Sequence, residues 1–257
     1  MSEKTAVNDA SENSSSDDLL TKNWQRLLAA LKQCGDIVDM QLKDSSIEVR
    51  ADAYRALLRA FSAQLGKQEA DGRFPLLLHV NPPHQKWFFD NPDGRTLHCT
   101  LDPSQRYRLW GNPGAAVYTS FTCYEGKGDS LATRVTARLD DRQLTRDAEG
   151  CFELTLSAEA GAGPNHVQLD AATGQLWIRQ LFNDSEHDAP GWFLLENLLP
   201  DSAPPAVDPE GVAGGMKRLS RAMPMLTQMM FAGWKMQTAN HTVNQIRVWT
   251  EMQNGAL

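Results

Sequence analysis

The sequence predicts a mainly β protein: a sandwich-like antiparallel sheet with an N-terminal helical hairpin and a C-terminal helical segment. Three observations lead there. Between residues 74 and 199, short runs of alternating apolar and polar residues are broken by Pro, Gly, Asn and Asp, as in half-buried strands joined by turns. On either side of that stretch, apolar residues recur at helical spacing. The 257-residue length suits one β-rich domain with helical additions. The expected divisions are a disordered tail over 1–18, a helical hairpin over 19–70, the β-rich domain over 74–199, a linker over 200–215 and a Met-rich helical segment over 216–254.

Residues 1–18 are rich in Ser, Asp, Glu and Asn and offer nothing to bury, hence the expected disorder. Leu20, Trp24, Leu27, Leu28, Leu31 and Val38 then form the stripe of a first helix. Ser45-Ser46-Ile47-Glu48 fits a capping box with Ser45 as the cap. Ile47, Ala51, Tyr54, Leu58, Phe61 and Leu65 form a second stripe, with Gly66 as the terminating residue. Strands are expected over 74–80, 96–101, 106–110, 115–124, 132–139, 151–157, 175–182 and 192–198. Pro and Gly crowd 200–215, and the helix predicted after it is interrupted near Pro224.

The net charge of −7 and a pI of about 5.4 argue against a nucleic-acid partner, whose phosphates require a basic stripe. No apolar stretch is long enough for a membrane span and none reads as a signal peptide, so the expected location is cytoplasmic. Cys34, Cys99, Cys123 and Cys151 show no paired spacing and read as free core thiols. Neither cysteines nor histidines have metal spacing, and no cofactor motif occurs, so no metal and no cofactor is expected.

Strand alternation supplies the candidate site. Over 115–124, Val117, Phe121 and Cys123 share one face and Tyr118, Ser120, Thr122 and Tyr124 the other. Over 132–139, Arg134, Thr136 and Arg138 oppose Val135, Ala137 and Leu139. Over 151–157, Glu153, Thr155 and Ser157 oppose Phe152, Leu154 and Leu156. If these strands pair in sequence order, one face carries Tyr, Ser, Thr, Arg and Glu together. That face is either solvated or a ligand-lined groove walled by two tyrosines. Arg179 shares its strand face with Trp177 and Leu181. A cation among large apolar residues should have a partner: Asp184, Asp188, Glu153 or Glu196 as an ion pair, or a ligand anion or carbonyl. His84 follows Pro82-Pro83 beside Trp87 and is the histidine best placed for acid–base work. Met216, Met223, Met225, Met229, Met230 and Met236 cluster in the C-terminal segment. There they form core, a lid over an apolar ligand, or a homo-oligomer contact.

Five motifs carry a family resemblance. They are Tyr107-Arg108-Leu109 with Gly111 and Gly114; Tyr118-Thr119-Ser120-Phe121-Thr122-Cys123-Tyr124; Glu149-Gly150-Cys151-Phe152-Glu153; Ile178-Arg179-Gln180-Leu181-Phe182-Asn183-Asp184; and the approach Trp87-Phe88-Phe89-Asp90-Asn91-Pro92-Asp93. Taken in chain order they resemble the bacterial domain of unknown function 1214, in its cytoplasmic type without the further N-terminal β domain. The resemblance implies a β-rich fold and no particular activity. The function expected from the residues is binding of a small, largely apolar organic molecule, extending to an enzyme of lipid, terpenoid or steroid-like metabolism. In that reading His84, Tyr118, Tyr124 and Arg179 orient or protonate the molecule, and Trp87, Ser120, Trp177, Asp184, Met229 and Met230 line its site. The alternative is a non-catalytic binding or homo-oligomeric assembly module.

Overall fold

A computed structural model describes residues 3–69, 71–80, 82, 85, 91–126, 134–161, 163–198 and 207–238. Among these, nine strands form two sheets and three helices flank them. The helices are α1 (Glu3–Gln41), α2 (Ile47–Gly66) and α3 (Pro209–Thr238). The strands are β1 (Leu78–His79), β2 (Gly94–Thr100), β3 (Tyr107–Gly114), β4 (Tyr118–Glu125), β5 (Val135–Asp140), β6 (Phe152–Ser157), β7 (His166–Gln168), β8 (Thr173–Leu181) and β9 (Pro190–Asn197).

The five-stranded sheet has the order β1-β2-β8-β4-β5 and the four-stranded sheet β7-β6-β3-β9. All neighbours are antiparallel except β6 and β7. The sequence-order pairing is therefore corrected: β5 pairs with β4, but β6 leaves that sheet to pair with β3. The inner faces meet in one core. Leu97 and Cys99 of β2, Phe121 and Cys123 of β4, and Leu176 and Ile178 of β8 face Tyr107 and Leu109 of β3 and Phe152, Leu154 and Leu156 of β6. Phe121 meets Phe152 edge-on, with centroids 5.3 Å apart, the arrangement aromatic pairs prefer. Burial pushes the Cys99 and Cys123 thiols up to about 12, as expected of thiols that pack like small apolar side chains. β3 ends on Gly114 at φ 64°, where a Cβ would stand 2.5 Å from the Ala189 carbonyl oxygen. Only glycine fits that return toward β4.

The helices depart from expectation in two ways. First, α1 is helical from Glu3, where a disordered tail is expected. No Pro or Gly precedes Gly35, and extending a nucleated helix costs little per residue. Second, α3 begins inside the expected linker. Asp208 caps it, accepting from the amides of Glu210 and Gly211 at 3.0 and 2.9 Å, and Pro209 takes the first helical position, where its missing amide is harmless. It continues through Pro224 without interruption. α1 and α2 form the expected hairpin, with Arg50 paired to Asp39 at 2.6 Å and the Tyr54 hydroxyl donating to the Gly35 carbonyl at 3.4 Å, and α1 packs along α3 as well. Cys34 and Val38 of α1 share a core with Met223 of α3, and Lys235 Nζ donates to Gln41 Oε1 at 2.6 Å, so the two helices run parallel. Met223, fully buried, joins Cys34, Val38, Leu42, Leu57 and Ala60 in a second core.

The cap of α2 is Ser46, one residue later than expected, accepting from the Val49 amide at 3.5 Å. Its last turn passes through Lys67 into a 3-10 turn, Lys67–Glu69. Among the described residues no helix is long and apolar enough to cross a membrane, and no group of three or more His, Cys, Asp or Glu could hold a metal ion.

Candidate functional site on the outer face of the five-stranded sheet

The face of the five-stranded sheet that turns away from the sandwich core collects half of the predicted site residues: Tyr118, Ser120, Tyr124, Trp177 and Arg179. Pairing sets the rows. His98, Trp177, Thr122 and Arg138 lie side by side across β2, β8, β4 and β5, and Thr96, Arg179, Ser120 and Asp140 form the next row. Tyr118 and Tyr124 stand at the two ends of β4 on the same face, as alternation predicted. Ser120 and Thr122 are buried.

Arg179 is the organising cation. Its guanidinium lies 5.0 Å from the Trp177 ring centre and 5.5 Å from that of Tyr124, and Nη1 donates to the Tyr124 hydroxyl at 3.1 Å. The predicted carboxylate partner is corrected. Glu153 and Glu196 lie on the other sheet, where both pair with Arg108. Asp184, beyond the end of β8, holds His187 Nδ1 at 2.9 Å and stays out of this face. Asp188 accepts the Asp184 amide. No carboxylate among the described residues pairs with Arg179, and a half-buried guanidinium is tolerated so because it is weakly hydrated and is attracted to aromatic faces.

Around Arg179 the charge is lopsided. Lys67 Nζ sits 5.4 Å from the Trp177 ring centre, and burial lowers its pKa. Arg138 donates to the Tyr118 hydroxyl at 2.7 Å, and Arg142 approaches the Tyr118 ring. Against these cations the face presents Asp140, which pairs with Arg142 at 2.7 Å; that bond and the adjacent backbone amide hold its carboxyl below the usual range. In a chain of net charge −7, this is a local excess of positive charge. The two tyrosine oxygens each accept from an arginine, which leaves each phenol its own proton to donate.

Other predicted residues fall elsewhere. His84 and Trp87 lie outside the described residues. Met230 packs against the helical core, and Met229 is exposed on α3. Three site residues escape the sequence reading: Lys67, His98 and Gln175. His98 is 3% exposed and edge-on to Trp177 at 5.1 Å. Gln175 Oε1 takes hydrogen bonds from Trp177 Nε1 and His98 Nε2, both at 3.1 Å. Alternation would place His98 and Gln175 on the correct faces of their strands; the pairing of β2 with β8 is what joins them.

No protein-family model matches this chain, and no curated protein matches it. The chain is similar in structure to an uncharacterised protein from Burkholderia cenocepacia, with a TM-score of 0.76 and 27% identity over 88% of this chain. It spans 63% of that protein's length. A protein from Vibrio parahaemolyticus aligns over 44% of this chain and 32% of its own, with 17% identity and a TM-score of 0.33.

Proposed function

We propose that this chain binds a small organic molecule with a largely apolar body and an anionic or carbonyl group, held on the outer face of the five-stranded sheet. The observation that carries this reading is Arg179 seated between Trp177 and Tyr124 with no carboxylate partner among the described residues. The rings provide apolar walls, and the guanidinium provides a planar fork suited to a carboxylate. Any chemistry would fall to the Tyr118 and Tyr124 hydroxyls as proton donors. The resemblance to the domain of unknown function 1214 belongs to this reading, since its motifs supply Tyr118, Ser120, Tyr124 and Arg179.

Native mass spectrometry of freshly purified protein, followed by titration with phenylacetate, tests the proposal. Phenylacetate should perturb the Trp177 and Arg179 resonances, and Arg179→Met should weaken it about tenfold or more. The variant should remain folded, because it strands no carboxylate and forfeits cation–π contacts worth about 0.5–1 kcal/mol each. Unchanged phenylacetate affinity in Arg179→Met would sink the proposal. A second reading, homo-oligomeric assembly through α3, is favoured by the exposed Met225, Met229 and Trp234 on that helix. A native mass of one chain would exclude it.

A further inference from the structure

Beside Trp177, a cavity of about 120 Å³ opens between the C-terminal end of α2 and strands β1 and β2. Ser62 and Lys67 line it from the helix, His98 and His79 from the strands, and Gln85 from the segment after β1. A single water needs only about 10–15 Å³ of such space. His98 is the informative wall, because its Nδ1 is buried and has no hydrogen-bond partner among the described residues.

The proton count on that ring follows from its neighbours. An indole N–H can only donate, and that of Trp177 points at Gln175 Oε1, 3.1 Å away. The Gln175 atom at this position is therefore the carbonyl oxygen. His98 Nε2 meets the same oxygen at 3.1 Å, so Nε2 must carry a hydrogen. Burial, with the Lys67 charge adding to it, pushes the His98 pKa down to about 4. At neutral pH the ring holds one proton, and that proton is on Nε2. Nδ1 is left as a bare acceptor with no donor among the described residues, and such a group costs about 1–3 kcal/mol unless a donor meets it. Lys67 poses the opposite demand. It closes α2, where the helix dipole favours a cation, and no carboxylate among the described residues pairs with it. The cavity thus asks for a hydrogen-bond donor and an anion at once.

From this juxtaposition we infer that the ligand is a hydroxy acid whose hydroxyl enters the cavity and donates to His98 Nδ1 while its carboxylate lies against Lys67 and Arg179. The inference rests on the small-molecule reading above and gives that molecule a chemical class. Its apolar body remains on Trp177 and Tyr124.

The test compares mandelate with phenylacetate, which differ by one hydroxyl, as ligands of the full chain and of His98→Phe. The wild type should bind mandelate about tenfold more tightly than phenylacetate, and His98→Phe should bind the two alike. If phenylacetate binds but the hydroxyl adds nothing, the hydroxy-acid inference is overturned and the anion-binding face stands. If neither acid binds, both fall. Should His98→Phe fail to fold, the wild-type ring nitrogens decide by long-range proton–nitrogen NMR. Nδ1 should be unprotonated in the free protein and should shift on adding mandelate but not phenylacetate. A protonated Nδ1 in the free protein overturns the inference.

Discussion

Acidification from pH 7 to pH 4 should strip stability from this protein through His98. The folded ring is disfavoured as a cation, since burial and Lys67 hold its pKa at about 4 against an ordinary 6.5. The unfolded chain takes up the proton near 6.5, so this contribution is complete above that pH and is lost as pH falls toward 4. Two and a half pKa units at 1.36 kcal/mol each correspond to about 3 kcal/mol across the window. Burial lowers the His79 pKa in the same sense. The carboxylates of Asp39, Asp71, Asp140, Asp170 and Asp184 are held below their ordinary range and release their contributions at lower pH still. A His98→Phe variant retains all of these, so the difference in slope between it and the wild type isolates His98. The assay is urea denaturation at half-unit steps from pH 7 to pH 4. The wild type should lose about 3 kcal/mol more than the variant. Equal losses would mean that the ring is either solvated or already charged in the folded state, and that Nδ1 is not a bare acceptor.

Two further substitutions probe what holds the site in place. Tyr107→Phe removes a fully buried hydroxyl that accepts the Asp102 amide at 2.7 Å and donates to the Gly72 carbonyl at 2.6 Å; stranding both groups should cost about 2–4 kcal/mol, and a urea midpoint that hardly moves would contradict it. Met223→Ala empties the centre of the three-helix core, with an expected loss of about 2–5 kcal/mol; a loss below about 1 kcal/mol would mean that α3 is not docked on α1 in solution.

The strands were legible because β4 and β8 alternate cleanly, and alternation alone assigns Tyr118, Ser120 and Tyr124 to one face and Trp177 with Arg179 to one face. Alternation cannot say which strands are neighbours. Both sheets have an apolar inner side and a polar outer side, so Glu153 satisfied the pattern equally well beside Arg179 or, as found, beside Arg108. The helices show the same limit. Leu57 and Leu58 are adjacent and both apolar, so spacing could favour Leu58, which is 67% exposed, while packing buried Leu57. The start of α3 was missed because Pro209, Gly211, Gly214 and Gly215 read as a linker, yet Asp208 and Pro209 together form an ordinary helix start. Lys67 carried no sequence signal, because its meaning comes from where the end of α2 is laid.

That placement is set from two sides, and this bears on the site more than on the fold. From the helical side, Leu57 and Ala60 of α2 are gripped by the core that Met223 fills. From the sheet side, the chain just past the 3-10 turn is tied down by the Tyr107 hydroxyl through Gly72, where a Cβ would stand 2.5 Å from the Asp102 amide nitrogen. Lys67 lies between these anchors and meets the sheet at Trp177. A charge costly to bury without a partner is held against an aromatic ring by packing on both flanks, so its alignment should fail before the sandwich core does. Loosening either anchor should weaken an anionic ligand at concentrations of urea that leave Phe121 and Phe152 packed. The helices are in this sense the second wall of the proposed sheet-face site, and the geometry of that wall is what a sequence read strand by strand does not contain.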